Sequence, residues 1–452
     1  MSTERLIRLA LVVLVVGLAL HNAAMAQLWD LGLRGTALDA VAAWKEALLL
    51  AAVLVVAWKV RGLPSPQVAD ALALTYAAVI VVYALMPQGW LDGNATTRGE
   101  LLALRHHLLP VGAYALGRLA SRMWRAERLG VVAALTAAGV ALIGLLDLAF
   151  VSLQAWRDSG VPGWYREQLG LDYRGLSGLP ENWVFNTGDE SNPIRRLVST
   201  FLSPLASAYA LVVALIFVTG RPFRWWWLLL GLLLYAGLLY THTRAAIGAL
   251  AVGLVVLALA QRRLAPVLLA VASVAVAGVF FVAYPHIGPS TSYTDEELEY
   301  LRENAAQNPG ASTDPFSPGE SSLASHWRNL RDGIQAVVEH PQGYGLGNAG
   351  VVAKRTGVEI KAGESTFVEL GTDAGVAGLV AFVLWSLAVL AGLLRRDPWV
   401  GAAFAAVLLL GLQTDVIGVH WIAVVVWALA GLALGRLPEP GPAHEPGPEP
   451  SP

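Results

Sequence analysis

About twelve apolar stretches recur along this 452-residue chain, most of them near the ~20 residues an α-helix needs to cross a hydrocarbon layer of roughly 30 Å. A chain of this kind folds as a bundle of membrane-spanning helices, because lipid offers no partner for backbone N–H and C=O groups and helices satisfy both internally. The stretches run approximately Leu6–Ala26, Leu38–Val60, Val68–Met86, Leu101–Leu119, Leu129–Phe150 and Ser199–Thr219 in the first half. Trp225–Tyr240, Ala245–Ala260, Pro266–Tyr284, Thr366–Leu394, Trp399–Gln413 and Val419–Gly435 follow. Composition agrees: 56% of residues are hydrophobic and 14% charged, whereas a soluble domain carries roughly a quarter of its residues charged. Sixteen Trp suit a protein with many lipid–water interfaces, and the formal charge of −2 says nothing about a polyanionic partner.

Lys and Arg stay on the cytoplasmic side of short connections. One set of alternate links holds Arg5 and Arg8; Lys59 and Arg61; Arg118, Arg122, Arg125 and Arg128; Arg221 and Arg224; Arg262 and Arg263; Arg395 and Arg396; and Arg436. The opposite short links hold little beyond Arg34, Arg98 and Arg244. Both termini are therefore expected in the cytoplasm, and the two long segments near 151–197 and 285–365 outside it. The first stretch has a second reading as a signal peptide, with Arg5 and Arg8 before it and Ala24-Met25-Ala26 at its end. Residues 437–452, rich in Pro, Glu and Gly, read as a disordered cytoplasmic tail after a transmembrane domain spanning 1–436. The absence of Cys removes disulfides and thiolate chemistry, so packing alone must hold the outer segments.

In the second outer segment, Thr294-Asp295-Glu296-Glu297 reads as the cap and acidic first turn of a helix reaching about Asn304. A flexible Pro, Gly and Ser run follows. Trp327, Leu330, Ile334, Val337 and Val338 then recur at helical spacing between Ser325 and His340, giving an amphipathic helix that ends at Pro341. The run Gly343-Tyr344-Gly345-Leu346-Gly347 reads either as a tight turn using glycine's freedom or as a phosphate-binding loop.

Charges close to hydrocarbon are costly and need a reason. Arg244, in Thr241-His242-Thr243-Arg244-Ala245, joins two apolar runs with almost no loop; it reads as an arginine snorkelling to the interface or as an anion ligand. Arg195 and Arg196, before the sixth run, admit the same two readings, and three guanidiniums at one membrane face favour an anion site. Glu364, in Gly363-Glu364-Ser365-Thr366, is either a helix-dipole partner with Ser365 as an additional cap, or a general base or acceptor-orienting group. Asp373 reads as the partner of a buried Arg. Lys45 and Glu46, and Arg105 with His106 and His107, read as intramembrane pairs or interface contacts, and the two adjacent His side chains point to different helix faces.

These residues together resemble the O-antigen ligase and polymerase superfamily. Arg196-Leu-Val-Ser-Thr-Phe-Leu-Ser-Pro204 resembles the arginine segment entering a helix in those proteins, and Thr243-Arg244-Ala245 their Ser-Arg helix junction. Ser325–Pro341 with the glycine turn is similar to the amphipathic helix of their large outer loop, and Glu364-Ser365 through Gly378 to the segment re-entering the membrane. Two positions depart: Glu364-Ser365 stands where many ligases have a His-Asn or similar pair, and His326 where many have an Arg, for which Arg328 is a substitute.

The resemblance implies an all-α polytopic bundle of the GT-C-like kind with about twelve spans and a large extracytoplasmic loop, in the bacterial inner membrane. It implies a metal-independent transferase, without cofactor, that moves a glycan from an undecaprenyl diphosphate carrier to a hydroxyl of a lipid or glycan acceptor. Arg196, Arg244 and Glu364 would then be catalytic, and Arg195, His326, Arg328 and Ser365 would bind substrate; the other partners would be membrane lipids, with no nucleic acid. The competing class is a transporter or flippase for a lipid-linked or anionic substrate, which predicts charges along a central path and repeated halves.

Overall fold

A computed structural model describes residues 3–59, 65–185, 193–307 and 321–435. The expected tail, Arg61, Arg436 and most of the Pro, Gly and Ser run fall outside these residues. The first half contains α1 (Thr3–Asp30), α2 (Gly35–Ala42), α3 (Trp44–Lys59), α4 (Val68–Leu85), α5 (Thr97–Ala120) and α6 (Ala126–Phe150). The short α7 (Leu153–Arg157) and α8 (Val161–Gly163) lead to a two-residue antiparallel ribbon, β1 (Val184–Phe185) and β2 (Ile194–Arg195), with Val184 opposite Arg195. Among the described residues this ribbon is the one sheet, and isolated bridges join Ile194 to Ser290 and Ala349 to Ala362. Then come α9 (Pro204–Thr219), α10 (Trp225–Tyr240), α11 (Arg244–Gln261), α12 (Ala265–Ile287), α13 (Asp295–Gln307), α14 (Ser321–Glu339), α15 (Gly350–Thr356), α16 (Thr366–Arg396), α17 (Pro398–Leu410) and α18 (His420–Leu434).

Every apolar stretch becomes a helix, but the helices differ in kind, and α5, with 24 residues, is in neither of the two groups that follow. Among the described residues, seven spans are long and apolar enough to cross a membrane: α1, α2 with α3, α4, α6, α11, α12 and α16. Four more, α9, α10, α17 and α18, are apolar but shorter, with 13 to 16 residues. At 1.5 Å per residue these reach roughly 20–24 Å. Of these, α9 and α18 are buried almost all round, which explains apolar residues on every face: they meet protein rather than lipid. The closest approach in the bundle brings α18 onto α5, where a Cβ on Gly117 would run into the Ala428 carbonyl and one on Gly431 into that of Tyr114.

The basic links gather at one end of the bundle. The Arg8 guanidinium donates to the Met123 carbonyl, Arg118 pairs with Asp70 at 2.6 Å, and Arg396 donates to the Leu434 carbonyl at 2.6 Å. At the opposite end residues 153–184 pack a core of their own with the end of α1 and with Leu202, including Trp29, Trp164, Tyr165 and Trp183. One of the first outer segment's ties to residues 285–307 is the buried Arg157–Glu297 ion pair at 2.6 Å, to which the Ser177 hydroxyl adds a 2.6 Å bond; the Arg195 amide to the Pro289 carbonyl and the Thr291 amide to the Pro193 carbonyl are others. The expected cap of α13 is present: the Glu297 amide donates to Thr294 Oγ1, and the Thr294 amide to Glu297 Oε2. Removing one partner of a buried pair costs on the order of 3–5 kcal/mol. Glu297→Ala is therefore expected to lower the protein's melting temperature and expose residues 153–178 to limited proteolysis; unchanged melting would show the pair to be dispensable.

Within α16 the helix breaks at Ala374 (φ −122°, ψ 18°) and Gly375 (φ 62°, ψ −174°). The turn after α14 fills the gap: the Tyr344 amide donates to the Thr372 carbonyl at 2.7 Å, and the Val376 amide to the Pro341 carbonyl at 2.8 Å. A side chain at 375 would meet the Gln342 backbone as well as an unfavourable φ. Gly343, Gly345 and Gly347 all have positive φ, and Asn348, fully buried, donates to the carbonyls of Tyr344 and Gly345. The glycine run is thus the tight turn that locks the broken helix.

Candidate functional site

Below α14 lies a cavity of about 790 Å³ whose wall includes His326, Asn329, Glu364, Glu369, Asp415 and Arg355. Glu364 sits in the loop before α16, its carboxylate bonded by His326 Nδ1 at 2.6 Å and by the Asn329 amide at 2.7 Å. Its backbone holds φ at +72°, a left-handed conformation that costs a non-glycine residue energy and is kept where the surroundings enforce it. The enforcement is visible. The Glu364 amide donates to Glu369 Oε1 at 3.1 Å, the Ser365 hydroxyl to the Gly411 carbonyl at 3.1 Å, and the Thr366 amide to the same carbonyl at 3.0 Å. Ser365 occupies the N-cap position of α16, but its side chain anchors the 411–416 loop instead of capping the helix. Burial alone would raise the Glu364 carboxyl, but the bonds from His326 and Asn329 outweigh it and hold the carboxyl below its ordinary value.

Charged residues of both signs line the cavity. Glu364 and Asp415 are among its acids, with Asp415 at 3.4 Å from His106. Arg105, Lys354, Arg355 and Lys361 are its bases, and Arg355 is pushed down to about 10 by burial and by Arg105 and Arg98 beside it.

Arg196 and Arg244 form a second cluster, framed by the α10–α11 turn. Arg196 donates from Nε to the Thr241 carbonyl at 2.8 Å and from Nη2 to the Thr243 hydroxyl at 3.1 Å. Burial lowers Arg196 to about 10; Tyr284 opposes the shift and the charge of Arg244 adds to it. Between these residues His242 stacks on Tyr284 at 4.9 Å, and burial, then Arg196 and Arg244, bring its pKa to about 3, so it is neutral. Two arginines, two threonines and a neutral imidazole make a turn rich in donors. Neither arginine is among the residues lining the cavity, whereas Tyr209 is, and its hydroxyl is 2.7 Å from Thr414 Oγ1.

The structure separates other expected site residues. Arg195 turns away from Arg196 into a buried pair with Asp147 at 2.9 Å and a bond to the Val151 carbonyl, so it braces the end of α6. Arg328 lies on the exposed face of α14, while His326, two residues earlier, reaches Glu364. Asp373 pairs with His107 at 3.2 Å, not with the expected arginine, and accepts from the Asn348 amide. His106 and His107 do face different carboxylates, and Arg105 lies 3.3 Å from Glu46. Glu369, Asp415, Asn329 and Tyr209 went unnoticed in the sequence. The first two carried a signal, since each is an acid within or between apolar runs.

Residues 228–383 match the family model described as O-antigen ligase. The match runs from within α10 to within α16 and so contains Arg244, His326, Arg328, Glu364 and Ser365, whereas Arg195 and Arg196 precede it. No curated protein matches the chain.

Proposed function

We propose, from the premise that this membrane protein belongs to the O-antigen ligase and polymerase superfamily, that it transfers a glycan from an undecaprenyl diphosphate carrier to an acceptor hydroxyl at the outer face of the bacterial inner membrane. The observation that carries the reading is Glu364: a strained, doubly bonded carboxylate in a large cavity at the end of the bundle away from the basic links. As the glycosidic bond breaks, negative charge grows on the departing diphosphate, and fixed guanidiniums stabilise it more in the transition state than before. Arg196 and Arg244 serve that role in this scheme, which needs no divalent ion. Glu364 accepts the hydrogen bond of the incoming hydroxyl and then its proton. His326 and Asn329 orient Glu364, and about twelve spans carry the outer segments on one side.

Purified protein in nanodiscs, given a defined undecaprenyl-diphosphate glycan and a lipid or glycan acceptor, should yield the joined product and free carrier diphosphate. Movement of the intact carrier across a vesicle membrane with no bond formed would instead establish the transport reading. The orientation has its own test, simplified by the absence of native Cys. A single Cys at Lys354 should react with an impermeant maleimide in intact spheroplasts and one at Arg125 should not; the reverse pattern would place the cavity in the cytoplasm.

A further inference from the structure

The first outer segment and α13 enclose a second groove, of about 480 Å³, lined by Tyr173, Tyr300, Glu296, Glu299, Glu303 and Arg174 among others. Its volume falls in the roughly 300–1,000 Å³ usual for small-molecule sites. The fold builds it firmly. The buried Arg157–Glu297 pair fixes α13 against residues 153–178, and Tyr300 packs beside Gly175, where a Cβ would lie 3.3 Å from its ring. Tyr173 packs edge-on against Tyr165 at 5.3 Å.

The chemistry of this groove differs from that of the cavity. Arg174 is engaged by Asp172 at 3.2 Å and Arg166 lies 3.4 Å from Glu167, so the glutamates of α13 dominate the groove's charge. A phosphate would be repelled there. Carboxylates accept bonds from hydroxyl groups, tyrosine rings offer flat apolar faces to the C–H side of a sugar ring, and the Arg side chains donate. The groove also adjoins the cavity. Lys354, a cavity residue, places its Nζ 5.0 Å from the centroid of the Tyr173 ring, and a side chain at Gly170 would press on the carbonyl of Arg355, another cavity residue.

We infer that the groove is a saccharide subsite, holding neutral sugar units of a glycan whose reacting end occupies the neighbouring cavity. The inference deepens the transferase reading and rests on it for the identity of the ligand. In this arrangement the anionic carrier end and the polyhydroxylated chain are bound by separate surfaces, so recognition reaches beyond the unit that reacts.

The probe is the native glycan, freed from the diphosphate lipids of the producing cell by mild acid, so that it carries neither lipid nor phosphate. Saturation-transfer NMR with the full chain in nanodiscs should show binding. Tyr300→Ala together with Glu299→Gln should weaken that binding about 10-fold, since losing one aromatic platform is worth up to about that factor. Tyr300→Phe, which keeps the ring, should bind as the unaltered protein does. Absence of binding, binding indifferent to Tyr300→Ala with Glu299→Gln, or equal loss in Tyr300→Phe would overturn the subsite. Transfer is read separately: intact saccharide binding with no transfer leaves the groove standing and rejects the transferase reading, whereas intact transfer with no saccharide binding does the opposite.

Discussion

Arg196→Ala and Arg244→Ala should each reduce glycan transfer by a factor of about 100 or more, the usual consequence of removing one preorganised donor from a developing anion, while the protein inserts and accumulates normally. Arg196 is bonded to Thr241 and Thr243 of the α10–α11 turn and feels the charge of Arg244, so an anion held by both guanidiniums would be stabilised by two charges at once. Arg→Lys at either position keeps the charge but loses the planar fork, and should restore activity only in part if phosphate oxygens are the partners. Arg196 also bonds the Thr241 carbonyl, which raises the question of whether loss reflects folding. Binding of undecaprenyl diphosphate separates the cases: it should fall with turnover in both Ala variants, while Thr243→Ala, which removes one neighbour of Arg196 and no charge, should retain most of both. Full transfer by Arg244→Ala at normal protein levels would reject the diphosphate contact.

Much of the bundle was legible because its cause is local. Lipid demands helices, and each helix announces itself by an apolar run: Trp225–Tyr240 appears at those same residues. Breaks were not legible. The second stretch divides at Ala43 into α2 and α3, and the sixth begins as a short turn over Ser199–Phe201, closed by Leu202 at φ 52°, before α9 starts at Pro204. Apolar content does not change at these points, so hydropathy carries no trace of them. The interruption of α16 at Gly375 was hidden for the same reason, since its missing bonds are supplied by residues 341–344 from another part of the chain.

The site was legible only where the cost of a charge marked it. Glu364 stood out beside a helix mouth and Arg244 between two spans, and the structure gives both defined settings. What the sequence could not give was partnership across long separations. Arg195 and Arg196 look alike in sequence, yet Asp147, 48 positions earlier, claims one of them. Asp373 finds His107 across 266 positions. Glu369 and Asp415 join Glu364 in one cavity only because the start of α16 is pinned to the 411–416 loop.

Glu364→Gln should leave carrier binding unchanged and lower turnover about 100-fold or more, because it keeps the shape and the Asn329 bond but removes proton acceptance. The pH profile distinguishes its part further. A general base works best with a pKa near the operating pH, and Glu364 is held the other way, below the ordinary value, by His326 and Asn329. It is therefore a weak base. In the proposed scheme Glu364 aligns the acceptor hydroxyl and takes the proton late, when bonding to the anomeric carbon has acidified it. In that scheme the ionised form is the active one, and a lowered pKa keeps it ionised as pH falls, so kcat/KM should stay level from neutral pH down past the ordinary glutamate value of about 4.3 before it declines. An acid limb near pH 6 that vanishes in His326→Gln would transfer the role of base to His326, and undiminished turnover in Glu364→Gln would remove Glu364 from the chemistry altogether.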